Sequence, residues 1–175
     1  MYVDGATKEI PVSQFKQVNP KHPVQILFEF QTNDVPNPFV TQELKLAVLG
    51  QVGSSGLFTD VSESPVEGGA LLGITLNNVS TQDEAFSKGF ATGLTLGLVG
   101  NQVTDGYVCT ATYRRVAGTE PVVVRARHAI HTTVGAASSP ENAIKASSPK
   151  EAVDLMLKQV LSNVLNDLSH DIAFK

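Results

Sequence analysis

Gly106-Tyr-Val-Cys-Thr-Ala-Thr-Tyr-Arg-Arg-Val116, Ala117-Gly118-Thr119-Glu120 and Pro121-Val-Val-Val-Arg-Ala-Arg-His-Ala-Ile-His-Thr-Thr133 form one continuous stretch, and its reading decides the fold. Two long runs rich in β-branched and aromatic residues flank a short glycine-containing turn, the pattern of a β-hairpin. In the second run Val122, Val124, Ala126, His128 and Ile130 alternate with Val123, Arg125, Arg127, Ala129 and His131. Alternate residues of a strand point to opposite sides, so the two sets occupy opposite faces. Arg114 and Arg115 precede the turn and Arg125 and Arg127 follow it. They read as a solvated sheet face, or as a cationic patch if the hairpin gathers them.

Upstream, Val24, Ile26, Phe28 and Phe30 alternate with Gln25, Glu29 and Gln31, which predicts a half-buried strand. A turn at 33–37 follows, with Asn37 placed as N-cap and Pro38 at the first helical position, where its missing N–H costs nothing. The spacing predicts a helix over 38–52, stopped by Gly53. Val40, Leu44, Ala47 and Val48 form its core stripe, while Phe39, Leu46 and Leu49 fall on the other side. Such a helix is either sandwiched within the fold or offers its back to a partner, so these three residues are candidate binding positions. Phe58–Ser62 and Ala70–Val79 read as the next strands.

At the other end, Ser148 caps, Pro149 takes the first helical position and Glu151 completes an S-x-x-E capping box. A helix to about residue 169 follows. Val153, Leu157, Val160, Leu161, Val164 and Leu168 fall on one arc, with Lys158, Ser162 and Asn166 away from it. Residues 134–148 read as a surface loop and residues 1–23 as an irregular arm or tether. The expectation is a single α+β domain over 24–175, with one mixed or antiparallel sheet of about five or six strands and two helices on one face.

Of 175 residues, 42% are hydrophobic and 17% charged, which suits a compact globule and excludes disorder of the whole chain. A net charge of −4 with scattered basic residues leaves no footprint for nucleic acid. The single cysteine, Cys109, allows no intrachain disulfide and reads as a small buried hydrophobe. There is no P-loop and no G-x-G-x-x-G; Gly53-Ser54-Ser55-Gly56 lacks the spacing of a nucleophile elbow. His128 and His131, three apart on a strand, project to opposite faces and cannot share an ion. No catalytic residue, metal or cofactor is expected, and the chain reads as a non-enzyme. A hydrolase with unrecognised spacing stands as a further alternative.

Residues 86–103 are the other distinctive segment. Gly89, Gly93 and Gly97 recur every four positions, and no charged side chain occurs from Gly89 through Thr104. In a helix the glycines would form a close-packing stripe. In a strand, Phe90, Leu94, Leu96 and Leu98 would share one side. A buried strand or packed helix leads. These apolar residues are also candidate contacts, and a membrane-active or self-associating module using 86–103 is the alternative function.

The run Gly93-Leu-Thr-Leu-Gly-Leu-Val, followed by Val103-Thr-Asp-Gly-Tyr and Cys109-Thr-Ala-Thr-Tyr, resembles the central signature of small proteobacterial envelope lipoproteins of unknown function. Tyr2-Val3-Asp4-Gly5-Ala6 likewise resembles a mature region cut just after a lipobox cysteine, with Met1 an added start. The resemblance implies an α+β domain in the periplasm, tethered to the outer membrane by an N-terminal lipid this chain does not carry. It implies an envelope protein or membrane surface as partner, and it hands over no catalytic residues.

Overall fold

The computed structural model describes residues 1–79, 97–99, 102–133 and 140–174, with the backbone alone for 97–99. Strands β1 (Tyr2–Val3), β2 (Val24–Thr32), β3 (Val35–Pro36), β4 (Val61–Ser62), β5 (Ala70–Val79), β6 (Gly97–Val99), β7 (Gln102–Arg114), β8 (Val122–Thr133) and β9 (Ile144–Lys145) build one mixed sheet. Helices α1 (Pro38–Ser54) and α2 (Pro149–His170) pack on one of its faces. Among the described residues the strand order is β3-β2-β5-β7-β8-β1-β9, with β4 beside β2 and β6 beside β7.

The predicted hairpin is the centre of this sheet. Its register runs from Gln102↔Thr133 to Tyr113↔Val122. β5 pairs antiparallel with the other side of β7. β2 runs parallel to β5, a pairing that needs a crossover, and α1 supplies it. The sheet has nine described strands against the five or six expected. The extra ones, β1, β3, β6 and β9, are two or three residues long, too short for alternation to show. β4 is likewise only Val61–Ser62, because Leu57 and Phe58 enter the core from a loop. β7 begins four residues before the expected Gly106.

Both helices start where their caps place them. Asn37 Oδ1 accepts from the Val40 N–H (3.2 Å). α1 then runs past Gly53, which is helical, and the left-handed residue that turns the chain is Gly56 (φ +69°). At α2, Ser148 Oγ accepts from the Glu151 N–H (3.1 Å), but the Glu151 carboxylate reaches back to the Ser147 N–H (2.6 Å) rather than to the cap residue.

The core lies between sheet and helices. From β2, Val24, Ile26 and Phe30 enter it; from β5, Ala70, Leu72, Ile74 and Leu76; from β7, Cys109, Ala111 and Tyr113. α1 contributes Leu44, Val48 and Val52, and α2 contributes Met156, Leu157, Val160, Leu161, Val164, Leu165 and Leu168. Each fully buried large aliphatic side chain is worth about 1.5–3 kcal/mol, which makes α2 the main clamp on the sheet.

Residues 1–23 lie against this core. β1 inserts between β8 and β9, with Val3 fully buried. The chain then runs along α2, where Ser162 Oγ accepts from the Ile10 N–H (2.9 Å), Ser169 Oγ from the Lys16 N–H (3.0 Å), and the Lys8 carbonyl from Asn163 Nδ2 (2.8 Å). Ser162, expected on the open side of its helix, is therefore buried. β9 falls within the loop expected over 134–148, whose first six residues lie outside the described residues.

Candidate functional site

Phe39 and Leu46 are the two apolar candidates that the structure leaves in solvent, at 75% and 79% exposure. They are seven residues apart on α1. Seven helical steps return to nearly the same azimuth about 10 Å along the axis, so the two side chains stand in one line on the helix's outward side. The inward side of α1 is anchored by Leu44, Val48 and Val52 and by the Thr41 hydroxyl, which accepts from the Phe30 N–H (2.9 Å). Leu49 is different: it is half-buried and packs against the core. The exposed apolar line is thus Phe39 and Leu46 without Leu49.

Beside that line, α1 and α2 enclose a groove of about 390 Å³ lined by Ala47, Gln51, Ser54, Asp154, Leu157 and Lys158, with Lys150 at its rim. Gln51 bridges the helices by donating to the Lys158 carbonyl (2.7 Å). Ala47, expected in the core, is exposed here. Of the remaining candidates, Gly89, Phe90, Gly93, Leu94 and Leu96 lie outside the described residues. Gly97 and Leu98 sit in β6, paired with Thr104 and Val103, so the backbone there is extended rather than helical.

The four arginines do not gather. Arg115 Nη1 donates to the Gly68 carbonyl (3.1 Å) and Nη2 to His22 Nδ1 (3.0 Å), while Arg114 Nε donates to the Thr119 carbonyl (3.1 Å). Both line a second cavity of about 290 Å³ with Gln25 and Leu71. Arg125 and Arg127 lie further along β8, opposite Thr110 and Val108.

The two histidines point to opposite faces. His128 turns toward α2: its Nδ1 accepts from the Ala129 N–H (2.8 Å), so Nε2 holds the ring proton and donates to Gln159 Oε1 (2.8 Å). Burial pushes its pKa below the usual value despite that bond. His131 faces the other way, into a network that no motif announced. Its Nδ1 meets Thr104 Oγ1 (2.9 Å) and Gln102 Nε2 (3.2 Å), and its Nε2 meets Asp4 Oδ2 (3.3 Å). Burial would raise the Asp4 carboxyl, but the hydrogen bond and charge of His131 and the Ala6 N–H hold it below its ordinary value.

A hydroxyl, an imidazole and a carboxylate in sequence resemble an acyl-transfer triad in connectivity. Thr104 is 1% exposed and His131 3%, so no substrate carbonyl has an approach to the hydroxyl. What the network does in this fold is clasp β1 to β8 and β7. Register explains it: Thr104 and Tyr2 both pair with His131, and Asp4 lies two residues beyond Tyr2 on the same face. Cys109 is fully buried, and burial pushes its thiol up to about 12, as suits a small hydrophobe rather than a nucleophile.

No family model matches the chain. No curated protein matches it in sequence. Solved structures similar to it include a Helicobacter pylori protein described as a neuraminyllactose-binding hemagglutinin homolog, 14% identical with a TM-score of 0.47, covering 95% of this chain and 87% of that one. A minor lipoprotein from Acinetobacter baumannii is 13% identical with a TM-score of 0.39, over 89% and 92% of the two chains. A Caulobacter crescentus protein described as a lipoprotein is 10% identical with a TM-score of 0.32, over 83% and 84%. Among the described residues no helix is long and apolar enough to cross a membrane.

Proposed function

We propose that this chain is a non-enzymatic, periplasm-facing binding domain of an envelope lipoprotein, and that it docks an envelope protein on the outward line of α1. The observation that carries the reading is the pair Phe39 and Leu46, exposed to water on a helix whose other side is anchored in the core. Large apolar side chains aligned on a rigid element, with a groove alongside, are the ordinary substance of a protein contact. The likeness of residues 93–113 to envelope lipoproteins supports the location.

The test is a photo-reactive amino acid at position 39, used to capture the partner from an envelope extract, followed by titration of the purified partner against wild type and Phe39→Ser/Leu46→Ser. Burying two such side chains predicts at least a tenfold weaker complex for the double variant, by the ~1.5–3 kcal/mol each contributes. Equal affinity of the two proteins removes α1 as the docking site. Flotation of the unmodified chain with liposomes, lost in the double variant, would assign the line to a membrane surface instead.

A further inference from the structure

We propose that the sheet face turned away from the helices is the interface of a homodimer in which β2 of one copy lies over β8 of the other. The registers place residues of the four central strands in rows across this face. One row is Leu27, Gly73, Thr112 and Val123; the next is Glu29, Thr75, Thr110 and Arg125. Leu27 and Val123, at the two ends of the first row, are 52% and 48% exposed. Glu29 and Arg125, at the two ends of the second, carry opposite charges. Among the described residues neither has an ion-pair partner. They cannot pair with each other within one chain, because three strand spacings, about 14 Å, separate them.

A two-fold axis lying in the interface, parallel to the strands and midway between β5 and β7, resolves this. It exchanges the two ends of every row. Glu29 then faces Arg125 of the partner copy, and Arg125 faces its Glu29; Leu27 and Val123 meet in the same reciprocal way. Thr75 falls on Thr110, and Gly73 on Thr112, so the middle of the face is low and flat. Gly73 has room for closer approach, since a Cβ built there meets nothing nearer than 3.9 Å. The flanking row of Gln31, Asn77, Val108 and Arg127 obeys the same rule: it puts an amide, not a like charge, opposite each Arg127. A surface complementary to itself under rotation is what an isologous contact requires. The geometry is that of two aligned sheets packed about 10 Å apart.

The face is smaller than the ~20–30 residues a side of a standard interface, so the dimer is a weak, concentration-dependent one. The experiment is sedimentation velocity of the purified chain over two decades of concentration. Wild type is expected to pass from monomer to dimer. Glu29→Arg and Arg125→Glu alone each place like charges on each other twice per dimer and are expected to weaken association at least about tenfold. The double variant E29R/R125E restores opposite signs and regains dimerisation. Arg125 is exposed and Glu29 half-buried, its carboxylate accepting from Gln31 Nε2, and matched urea midpoints confirm that the variants fold. A wild type that stays monomeric throughout overturns the proposal, even if another protein is found on this face. So does a dimer indifferent to both single reversals, or a double variant no better than the singles.

Discussion

Asp4 Oδ2 lies 3.3 Å from His131 Nε2, so the fourth residue of the chain is fastened to a partner 127 positions away. Both side chains are buried. The bond holds β1 in the sheet, and β1 in turn carries β9. Replacing Asp4 with Asn removes the charge and leaves the His131 ring with a poorer acceptor, at an expected cost of about 1–3 kcal/mol at neutral pH. The sign with pH follows from the depressed carboxyl. Stability from Asp4 is present above its unfolded value near 3.8 and is lost as pH falls through the folded one. Urea titrations should show wild type and D4N well separated at pH 7 and converging below pH 4.

His128 acts in the same direction as Asp4, beginning at a higher pH. Its folded pKa is lowered by burial, so on acidification the unfolded chain takes up a proton near 6.5 that the folded chain refuses. Stability therefore declines as pH drops below that value, by up to about 1.4 kcal/mol per pH unit for one proton. His128→Leu abolishes this share of the slope while costing stability at pH 7.5, because Gln159 loses its donor inside the core. Unfolding free energies at pH 7.5 and 5.5 for the two proteins measure it. Equal slopes would mean that His128 titrates as freely in the folded chain as in the unfolded one.

These two clasps also show where sequence reasoning stops. Helix α2 is legible because its cap, its Pro149 and its apolar arc lie within one window, and β2 and the central hairpin are legible for the same local reason. Asp4, Gln102 and Thr104 carry no pattern of their own and acquire partners only through strand register. Ser162 reads as a solvent residue until residues 8–16 are laid across it. Of the α1 candidates, periodicity separates Phe39 and Leu46 from the core, but it also groups Leu49 with them, and only the packing of α1 on the sheet tells them apart.

Phe39 and Leu46 should matter little to folding. Nothing is lost from the core when they become serine, so Phe39→Ser/Leu46→Ser is expected to change the unfolding free energy by less than about 1 kcal/mol. Leu161→Ala, from the fully buried face of α2, is expected to cost about 2–5 kcal/mol. Urea midpoints of the three proteins check the contrast. A large loss in the serine variant would show that the two residues serve the fold and not a partner.

Cys109 is expected to be unreactive until the chain unfolds. It is fully buried in the centre of β7, paired with Leu76 on one side and Ala126 on the other, and its thiol is pushed up to about 12 by burial. The thiolate is the reacting species, so at pH 8 both its scarcity and its inaccessibility suppress modification. A disulfide reagent should label the native protein no faster than it opens, and label the urea-unfolded protein at once. Labelling of native protein at the rate of a free thiol would overturn this placement.

Gly5 is the most sterically constrained position next to β1. A Cβ built there would lie 1.8 Å from the Asn142 carbonyl oxygen and 2.9 Å from its carbon, and both are backbone atoms that no rotamer change can move. Gly5→Ala must therefore separate the first strand from the segment leading into β9, where Tyr2 pairs with Lys145 and Val3 with Ile144. The core between β2, β5, β7 and the helices does not depend on that contact. The expected result is a folded protein in which amide exchange accelerates at residues 2–6 and 142–146 while the amides of β5 and β7 keep their protection. Hydrogen–deuterium exchange resolved by peptide measures it. Unchanged protection of residues 2–6 would mean that the glycine is not what lets the two segments meet.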